Sequence, residues 1–220
     1  MSKVTIKEVK QHPRVIAFLG AADQYMDAVG YTEHGQRHAN LVSNIAHNIL
    51  THLEHKKRMP ELAAIAGYLH DIGNMVSRTA HEQCGALLAI EILESLKMES
   101  DEIALIAGAI GNHEEETGDP INGIAAAVIL ADKSDVHQSR VRPNLKMFDI
   151  HDRVNYASKK SFLRVNKAKK IITLELTIDT GISQVMEYFE IFLTRMIMCR
   201  RAAKFLECNF ELIINNIKLL

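Results

Sequence analysis

The sequence predicts a mainly α-helical protein that ends in a small β-hairpin or sheet and a long helix. Through roughly the first 140 residues, apolar side chains recur at intervals of three and four, as on one face of an α-helix. From Ile172 to Asp179 apolar and polar residues alternate, which is typical of a half-buried strand. Helical spacing then returns from Ser183 to about Glu207.

Length and composition are those of an ordinary globular protein. The chain has 220 residues, of which 47% are hydrophobic, and a formal net charge of −1. It can therefore bury a core, and its charge makes no case for a membrane or a nucleic-acid polymer as partner. Cys84, Cys199 and Cys208 are an odd set without CxxC spacing, which argues against disulfides or a thiolate zinc site. Without a signal-peptide pattern or a membrane-length apolar run, we expect a cytoplasmic protein.

The first histidine of interest lies on an apolar helical stripe. Pro13 begins a scaffold helix that Gly30 ends, and a longer helix follows over residues 32–55. In that helix His38 falls on the core-facing stripe, and His34 lies one turn earlier. A single histidine in such a place is more often a hydrogen-bonded core residue than a ligand.

The doublet His70-Asp71 follows a short, buried helix that starts at Pro60 and is ended by Gly73. Two adjacent titratable groups are costly to bury unless a partner compensates them. A divalent cation would be such a partner, because imidazole nitrogen and carboxylate oxygen are common metal ligands. A capping or salt-bridged pair is the simpler alternative.

Three further helices each carry one ligand-type side chain. Thr79 and Glu82 fit a capping box that would place His81 in a first helical turn. Ser100 is expected to cap a helix that leads to His113, and Asn122 one that leads to Asp132. A buried, unpaired Asp132 would need a cation or several donors, and the adjacent Lys133 should point about 100° away from it.

Together these residues form a constellation that five helices deliver in sequence order. Its members lie on core-facing stripes or at their ends: His38, His70, Asp71, His81, His113 and Asp132. Nitrogen and oxygen donors without thiolate suit iron, manganese, zinc, cobalt or nickel. Because six groups exceed what one ion with an open position needs, we expect one or two divalent metals per chain, with Asp71 able to bridge two.

The ordered set resembles the HD superfamily of metal-dependent phosphohydrolases. The resemblance covers roughly residues 30–140 and includes the strings His-Asp-Ile-Gly, His81-Glu-Gln-Cys-Gly-Ala and Leu-Ala-Asp132-Lys-Ser-Asp. It implies an HD-type helical bundle whose primary ligands are His38, His70, Asp71 and Asp132. It also implies that His81 and His113 complete a second metal site, and His34 matches a position that sometimes supplies another ligand.

The chain departs from several branches of this family. Where the cyclic-dinucleotide phosphodiesterases have His-His-Glu and Gly-Tyr-Pro, this chain has Asn112-His113-Glu114 and Gly118-Asp119-Pro120. Asn74-Met75 holds no Glu-Asp pair like that of the alarmone hydrolases, and position 74 lacks the catalytic glutamate of the single-metal deoxynucleotidases. The subfamily therefore stays open.

The remainder of the chain predicts an appendage. We expect residues 1–140 to form the metal-binding core and residues 141–220 an α+β unit packed on it. An irregular basic stretch should run to about Lys160, after which Phe162–Val165 pairs with the strand near 172–178. A third strand is expected around Phe210–Ile214.

The resemblance implies hydrolysis of a phosphate ester or nucleotide by metal-activated water. Asp71, His81 and His113 are the predicted catalytic residues, and the expected substrate is a small, nucleotide-like phosphorylated molecule. Lys133, Arg140 and Arg142 are predicted to bind its phosphate; in an extended segment both arginines would point the same way. The alternative for them is a solvated basic arm, or a brace through Asp149 or Asp152.

Two other functions remain open at this stage. One branch of the superfamily uses the same ligand order for di-iron oxygenation of small alcohols or phosphonates. A non-catalytic, metal-stabilised module is the third reading, in which the C-terminal strands and long helix could mediate binding or a homodimer.

Overall fold

A computed structural model describes residues 3–142 and 149–220. The fold is mainly helical with a small C-terminal sheet, which confirms the predicted fold class. The helices are α1 (Ile6–Gln11), α2 (Pro13–Ala28), α3 (Gln36–His52), α4 (Arg58–Leu69), α5 (His81–Ser95), α6 (Ser100–Gly111), α7 (Gly123–Lys133), α8 (Ile150–Ala157) and α9 (Val185–Phe205). Short 3₁₀ turns span Ile72–Met75 and Gln138–Arg140.

Two almost wholly buried helices form the centre of the bundle. Every residue of α7 from Ile124 to Lys133 is buried, and so are Pro60 and all residues of α4 from Leu62 to Leu69. A helix that is apolar all round has no face for water and must be surrounded by other elements. Here α3 packs on both α4 and α7, while α6 contacts α4, α5 and α7. The C-terminal ends of both helices, next to His70 and at Asp132, therefore lie inside the molecule.

The C-terminal sheet has four strands in the order β1 (Ser158–Asn166), β2 (Ile171–Ile178), β3 (Asn209–Ile214) and β4 (Ile217–Lys218). The predicted hairpin is confirmed, with Leu163 opposite Leu174 in an antiparallel pair. The third strand is also confirmed and runs parallel to β2, because α9 provides the crossover between them.

The predicted irregular basic stretch is wrong over its second half. Residues 143–148 lie outside the described residues, but Ile150–Ala157 is a helix. Asp149 caps it by accepting a hydrogen bond from the backbone N–H of Asp152, and the Asp152 carboxylate accepts one from the Asp149 N–H. This reciprocal cap starts a helix that charge composition alone does not reveal.

The predicted helix caps have mixed outcomes. Asn122 caps α7, since its Oδ1 accepts from the Ala125 N–H at 2.8 Å. The Thr79 capping box is wrong: Ala80 holds the cap position at φ 58°, and no described side chain caps it. Ser100 is the first residue of α6, and Glu99 takes the cap position instead.

Gly73 determines how closely α5 approaches the His70-Asp71 turn. A Cβ at Gly73 would lie 1.9 Å from the His81 carbonyl oxygen and 2.5 Å from the Gly85 nitrogen. Only glycine permits such a backbone contact. The glycine thus brings His81 next to the doublet, although it lies in a 3₁₀ turn rather than just past a helix end.

Apolar residues from both predicted parts belong to one continuous core. Phe192 and Met196 of α9 join the same cluster as Val128 of α7. The division at residue 140 stays a prediction. Within residues 3–142 and 149–220, no helix is long and apolar enough to cross a membrane.

Candidate metal centre

The six residues predicted as metal ligands come together in one buried cluster. Their exposed fractions lie between 0% and 7%. Their ligand atoms form three overlapping groups, within each of which all atoms lie within 4.8 Å of one another. The groups are His38, His70 and Asp71; His70, His113 and Asp132; and Asp71, His81 and His113.

One half of the cluster is built around His38 and His70. Their Nε2 atoms lie 3.2 Å apart. Asp132 Oδ1 lies 3.3 Å from His38 Nε2 and 3.7 Å from His70 Nε2. Asp71 Oδ2 faces the same two nitrogens at 3.6 and 3.3 Å. Two nitrogens and two carboxylates thus converge on one point.

The other half is built around His81 and His113, whose Nε2 atoms lie 3.1 Å apart. The second oxygen of Asp71, Oδ1, lies 3.4 Å from His81 Nε2 and 3.9 Å from His113 Nε2. The two oxygens of a single carboxylate therefore face two different histidine pairs. This is the arrangement that a bridging ligand between two ions requires.

Backbone carbonyls fix the tautomers of three of these histidines. The Nδ1 atoms of His70, His81 and His113 lie 2.9, 3.0 and 2.6 Å from the carbonyl three residues earlier in the chain. A carbonyl can only accept, so we assign the proton to Nδ1 in each ring. The Nε2 atoms then face the cluster, and each offers a lone pair when its ring is neutral. In the His81–His113 pair, two such lone pairs about 3 Å apart are repulsive unless a proton or a metal ion lies between them.

The electrostatics of the cluster favour positive charge at its centre. Burial disfavours a protonated His70, but the Asp71 and Asp132 carboxylates outweigh it and raise the pKa of His70 to about 10. Burial alone would raise the pKa of the Asp71 and Asp132 carboxyls. The pKa of Asp71 is nevertheless held well below the usual range by His70, and that of Asp132 by Lys133. Burial, with His70 nearby, keeps the pKa of His113 well below its ordinary value. Neutral imidazoles and ionised carboxylates are the forms that bind a divalent metal, so an ion would replace the proton that the two carboxylates favour on His70. With that exchange the donor set fits a divalent metal.

Two supporting contacts were not predicted from the sequence. His38 Nδ1 lies 2.7 Å from Asp135 Oδ2, and Asn74 Nδ2 donates to Asp71 Oδ1 at 2.9 Å. Such contacts orient ligands toward a metal. Asp135 is the last residue of the string Leu-Ala-Asp132-Lys-Ser-Asp. Its nearness to Asp132 was the sign in the sequence that it could belong to the site.

Lys133 corrects an expectation from helical geometry. Its Nζ lies 2.7 Å from Asp132 Oδ2 and 3.3 Å from Glu115 Oε1. The expectation that Lys133 points away from Asp132 is wrong, because its long, flexible side chain bends back along the buried helix end.

Arg140 and Arg142 do not form the predicted extended pair. Arg140 lies in a 3₁₀ turn and is buried, and it donates to the carbonyls of Asp135 and Glu33. Arg142 donates to the Tyr31 carbonyl and to Asp23 Oδ1. Both brace the region between α2 and α3 rather than Asp149 or Asp152.

His34 lies next to the cluster but is engaged elsewhere. Its ring centroid is 5.6 Å from that of His38. Its Nδ1 contacts the Thr32 carbonyl at 2.6 Å, and its Nε2 lies 2.9 Å from an Arg140 guanidinium nitrogen. Since arginine can only donate, His34 Nε2 accepts that hydrogen bond.

A cavity of about 470 Å³ lies beside the cluster, although none of the six predicted ligands is part of its lining. Arg78 lines it and contacts His81 Nε2 at 3.1 Å, and Glu114, also in its lining, lies 3.5 Å from the same atom. Helix α9 contributes Phe192 and Arg195, and Arg195 is hydrogen-bonded to Glu115 at 2.8 Å.

Of the three residues predicted to bind phosphate, Arg140 is part of the cavity lining, whereas Lys133 and Arg142 are not. Sequence reasoning assigned no role to Arg78 or Arg195, which lie outside the recognised motifs.

Comparison with known proteins agrees with the geometry. Residues 35–137 match the family model of the HD domain, a stretch that contains all six predicted ligands. Residues 35–137 therefore form an HD domain, as the ligand order predicts, and HD-domain proteins are generally metal-dependent hydrolases. Over 213 residues, the chain is also 28% identical to the uncharacterized protein MJ1020 of Methanocaldococcus jannaschii, covering 84% of this chain and 81% of that protein.

Proposed function

We propose that this protein is a phosphohydrolase that cleaves a small phosphate ester, such as a nucleotide, at a centre holding two divalent metal ions. The observation that carries the proposal is the division of the Asp71 carboxylate, with one oxygen toward His38 and His70 and the other toward His81 and His113. When bound, the ions would lower the pKa of a water molecule and neutralise charge on the phosphate.

The chain's own residues orient the histidines, offer a bridging carboxylate and balance the charge of the centre. The backbone carbonyls hold three histidines with Nε2 facing inward, so little reorganisation is needed to bind metal. Asp71 contacts both histidine pairs and is the proposed bridging ligand. Lys133 pairs with Asp132 and limits the net negative charge of the centre.

Phosphate binding is proposed for the cationic residues around the cavity. Arg78 and Arg195 line it, and a guanidinium can hold two phosphate oxygens at once. Arg140 lines it as well, so its predicted role in phosphate binding stays a prediction. The same role for Lys133 and Arg142 also stays a prediction, although their present partners are Asp132 and Asp23.

The test is a metal-dependent activity panel. Chelator-treated protein would be reloaded separately with manganese, iron(II), cobalt, nickel or zinc and assayed for phosphate release from nucleotides and simple phosphoesters. We expect release with at least one metal, none after chelation, and none in Asp71→Ala protein. Oxygen consumption by the iron-loaded protein without phosphate release would overturn the proposal in favour of oxygenation. Inert metal-loaded protein would favour a binding module.

A further inference from the structure

The outer face of α9 carries a stripe of exposed side chains at alternating intervals of four and three residues. Its three apolar members, Met186, Leu193 and Ile197, are 68%, 54% and 42% exposed. The members of the complete stripe, all exposed, are Met186, Glu190, Leu193, Ile197, Arg200 and Lys204. Such spacing averages about 3.5 residues, which is the pattern of a helix that packs lengthwise against another helix.

The stripe faces away from α8. On the α8 side of α9, Glu187 pairs with Arg153 and the ring of Phe192 contacts that of His151. Because successive residues of a helix are about 100° apart, the centre of the stripe lies about 180° around α9 from this side. Packing of α8 on α9 therefore leaves the stripe uncovered.

Residues 143–148, which lie outside the described residues, join the rest of the chain on the cavity side of α9. Arg142 precedes them and donates to the carbonyl of Tyr31, and Asp149 follows them. Tyr31 and Asp149 both line the cavity, together with Ile191 of α9. Single exposed apolar residues are ordinary, but a periodic stripe on the other side of the helix indicates an interaction face.

The charges of the stripe identify its partner. Glu190 lies in the N-terminal half of α9, whereas Arg200 and Lys204 lie in the C-terminal half, and none of them forms an ion pair with a described residue. The nearby Glu187 and Arg201 are by contrast paired within the chain. An acidic half and a basic half complement each other when two copies of the same helix pack antiparallel.

Antiparallel pairing brings complementary residues together about a two-fold axis at residue 195. Leu193 then faces Ile197 of the partner subunit, and Glu190 faces Arg200 of the partner subunit. Each contact occurs twice, because a two-fold interface uses the same patch on both copies. The centre of the interface is thus apolar, with opposite charges on either side of it.

The ends of the stripe fit the same arrangement. Met186 meets Lys204 of the partner subunit, and the aliphatic part of a lysine packs well on an apolar side chain. A parallel pair would instead place Glu190 against Glu190 of the partner subunit, and Arg200 against Arg200 of the partner subunit. Like charges in these positions oppose association, so the sequence of α9 favours the antiparallel pair.

We propose that the protein forms a two-fold symmetric dimer in which the α9 helices of two copies pack antiparallel along this stripe. One helix face makes a small interface, so the dimer should form reversibly and depend on protein concentration. The inference does not rest on the proposed phosphohydrolase function.

Sedimentation velocity of the full chain over a concentration series measures the association. The wild type should shift from monomer to dimer as its concentration rises. Glu190→Arg and Arg200→Glu each place like charges at both symmetric contacts, so each should raise Kd by about tenfold or more. An equimolar mixture of these two variants has opposite charges at both contacts and should dimerise as the wild type does.

Matched variants separate the stripe from the rest of the surface. Leu193→Asp places a carboxylate at the apolar centre of both copies and should abolish the dimer. Leu87 is an equally exposed leucine on α5, so Leu87→Asp should leave Kd unchanged. Glu94 is exposed on the same helix, and Glu94→Arg is the control for the charge reversals. If the melting curve of Leu193→Asp shows that it does not fold, the charge reversals decide alone.

Four outcomes would overturn the proposal. A wild type that stays monomeric at every concentration has no such dimer, and the stripe then belongs to a different protein partner. A dimer that survives in folded Leu193→Asp uses another surface. Single charge reversals that leave Kd unchanged, or a mixture that does not recover the dimer, contradict the antiparallel register. None of these results depends on phosphate release, so failure of the proposed function is seen separately.

Discussion

His38 Nδ1 lies 2.7 Å from Oδ2 of Asp135, and the same oxygen accepts a hydrogen bond from Arg37 at 2.8 Å. His38 thus differs from the three histidines whose Nδ1 contacts a backbone carbonyl. Burial alone would raise the pKa of Asp135, but the hydrogen bond with His38 and the nearby guanidinium groups of Arg140 and Arg37 hold it below the usual range. The ionised carboxylate therefore orients His38 from behind.

Replacing Asp135 by asparagine should weaken metal binding while leaving all six ligands in place. We expect a loss of about 10- to 100-fold in metal affinity, because an amide orients and polarises the imidazole less strongly. Competition with a fluorescent chelator measures this. Arg37→Gln is the matched control, since it removes a different hydrogen-bond partner of Asp135 and should change the affinity by a smaller factor. Equal affinities in wild type and Asp135→Asn would contradict the role of Asp135.

Asp71→Ala should abolish turnover and lower thermal stability. The substitution removes the carboxylate that faces all four cluster histidines and leaves a charged His70 buried with fewer partners, a cost of about 3 kcal/mol. His52 is exposed near the end of α3, so His52→Ala should change neither property appreciably. Comparable kcat/KM and Tm values in the two variants would count against the assignment of Asp71.

The clustering of the six predicted ligands could be expected from the sequence, whereas the contacts that support them could not. His38, His70 and Asp132 fall on periodic apolar stripes, so helical spacing alone indicates that they point inward. Asp135 and Asn74 lie beyond helix ends, and their contacts with His38 and Asp71 do not follow from local periodicity. Their roles depend on how separate helices pack, which a single sequence does not specify.

In the C-terminal half, too, a strand could be predicted from local pattern, whereas features that depend on packing could not. The alternation of Ile172–Ile178 predicted a strand, and the structure has one there. Helix α8 was missed because its basic flanks suggested an irregular segment, and its cap depends on a reciprocal contact between Asp149 and Asp152. Arg195 was missed because its place in the cavity follows from the packing of α9 on α7, not from any motif.

Gly73→Ala should destabilise the protein strongly. The new Cβ would overlap the His81 carbonyl and force α5 away from the doublet, at a cost of about 3 kcal/mol or more. Gly20 is the control: it lies within α2, and a Cβ there would meet no described atom within 4 Å. Gly20→Ala should stabilise by about 0.5–1 kcal/mol. Urea unfolding measures both, and similar effects would refute the close approach at Gly73.

Arg140 and Arg142 should behave differently when each is replaced by glutamine. Arg142 is held by Asp23 and Tyr31, so we expect a stability loss of about 1 kcal/mol with unchanged kcat/KM. Arg140 is buried and lines the cavity, and its loss leaves carbonyls unpaired, so both Tm and kcat/KM should fall. A fall of about tenfold in kcat/KM at unchanged Tm for Arg142→Gln would instead support its predicted role in substrate binding.

Elemental analysis of the protein and two double variants tests the two-ion centre most directly. We expect about two divalent ions per wild-type chain when metal is supplied in excess and unbound metal is removed. His81→Ala with His113→Ala should reduce this to one, and His70→Ala with Asp71→Ala should reduce it to none. Stoichiometric metal that survives in the His70 and Asp71 double variant would contradict the account.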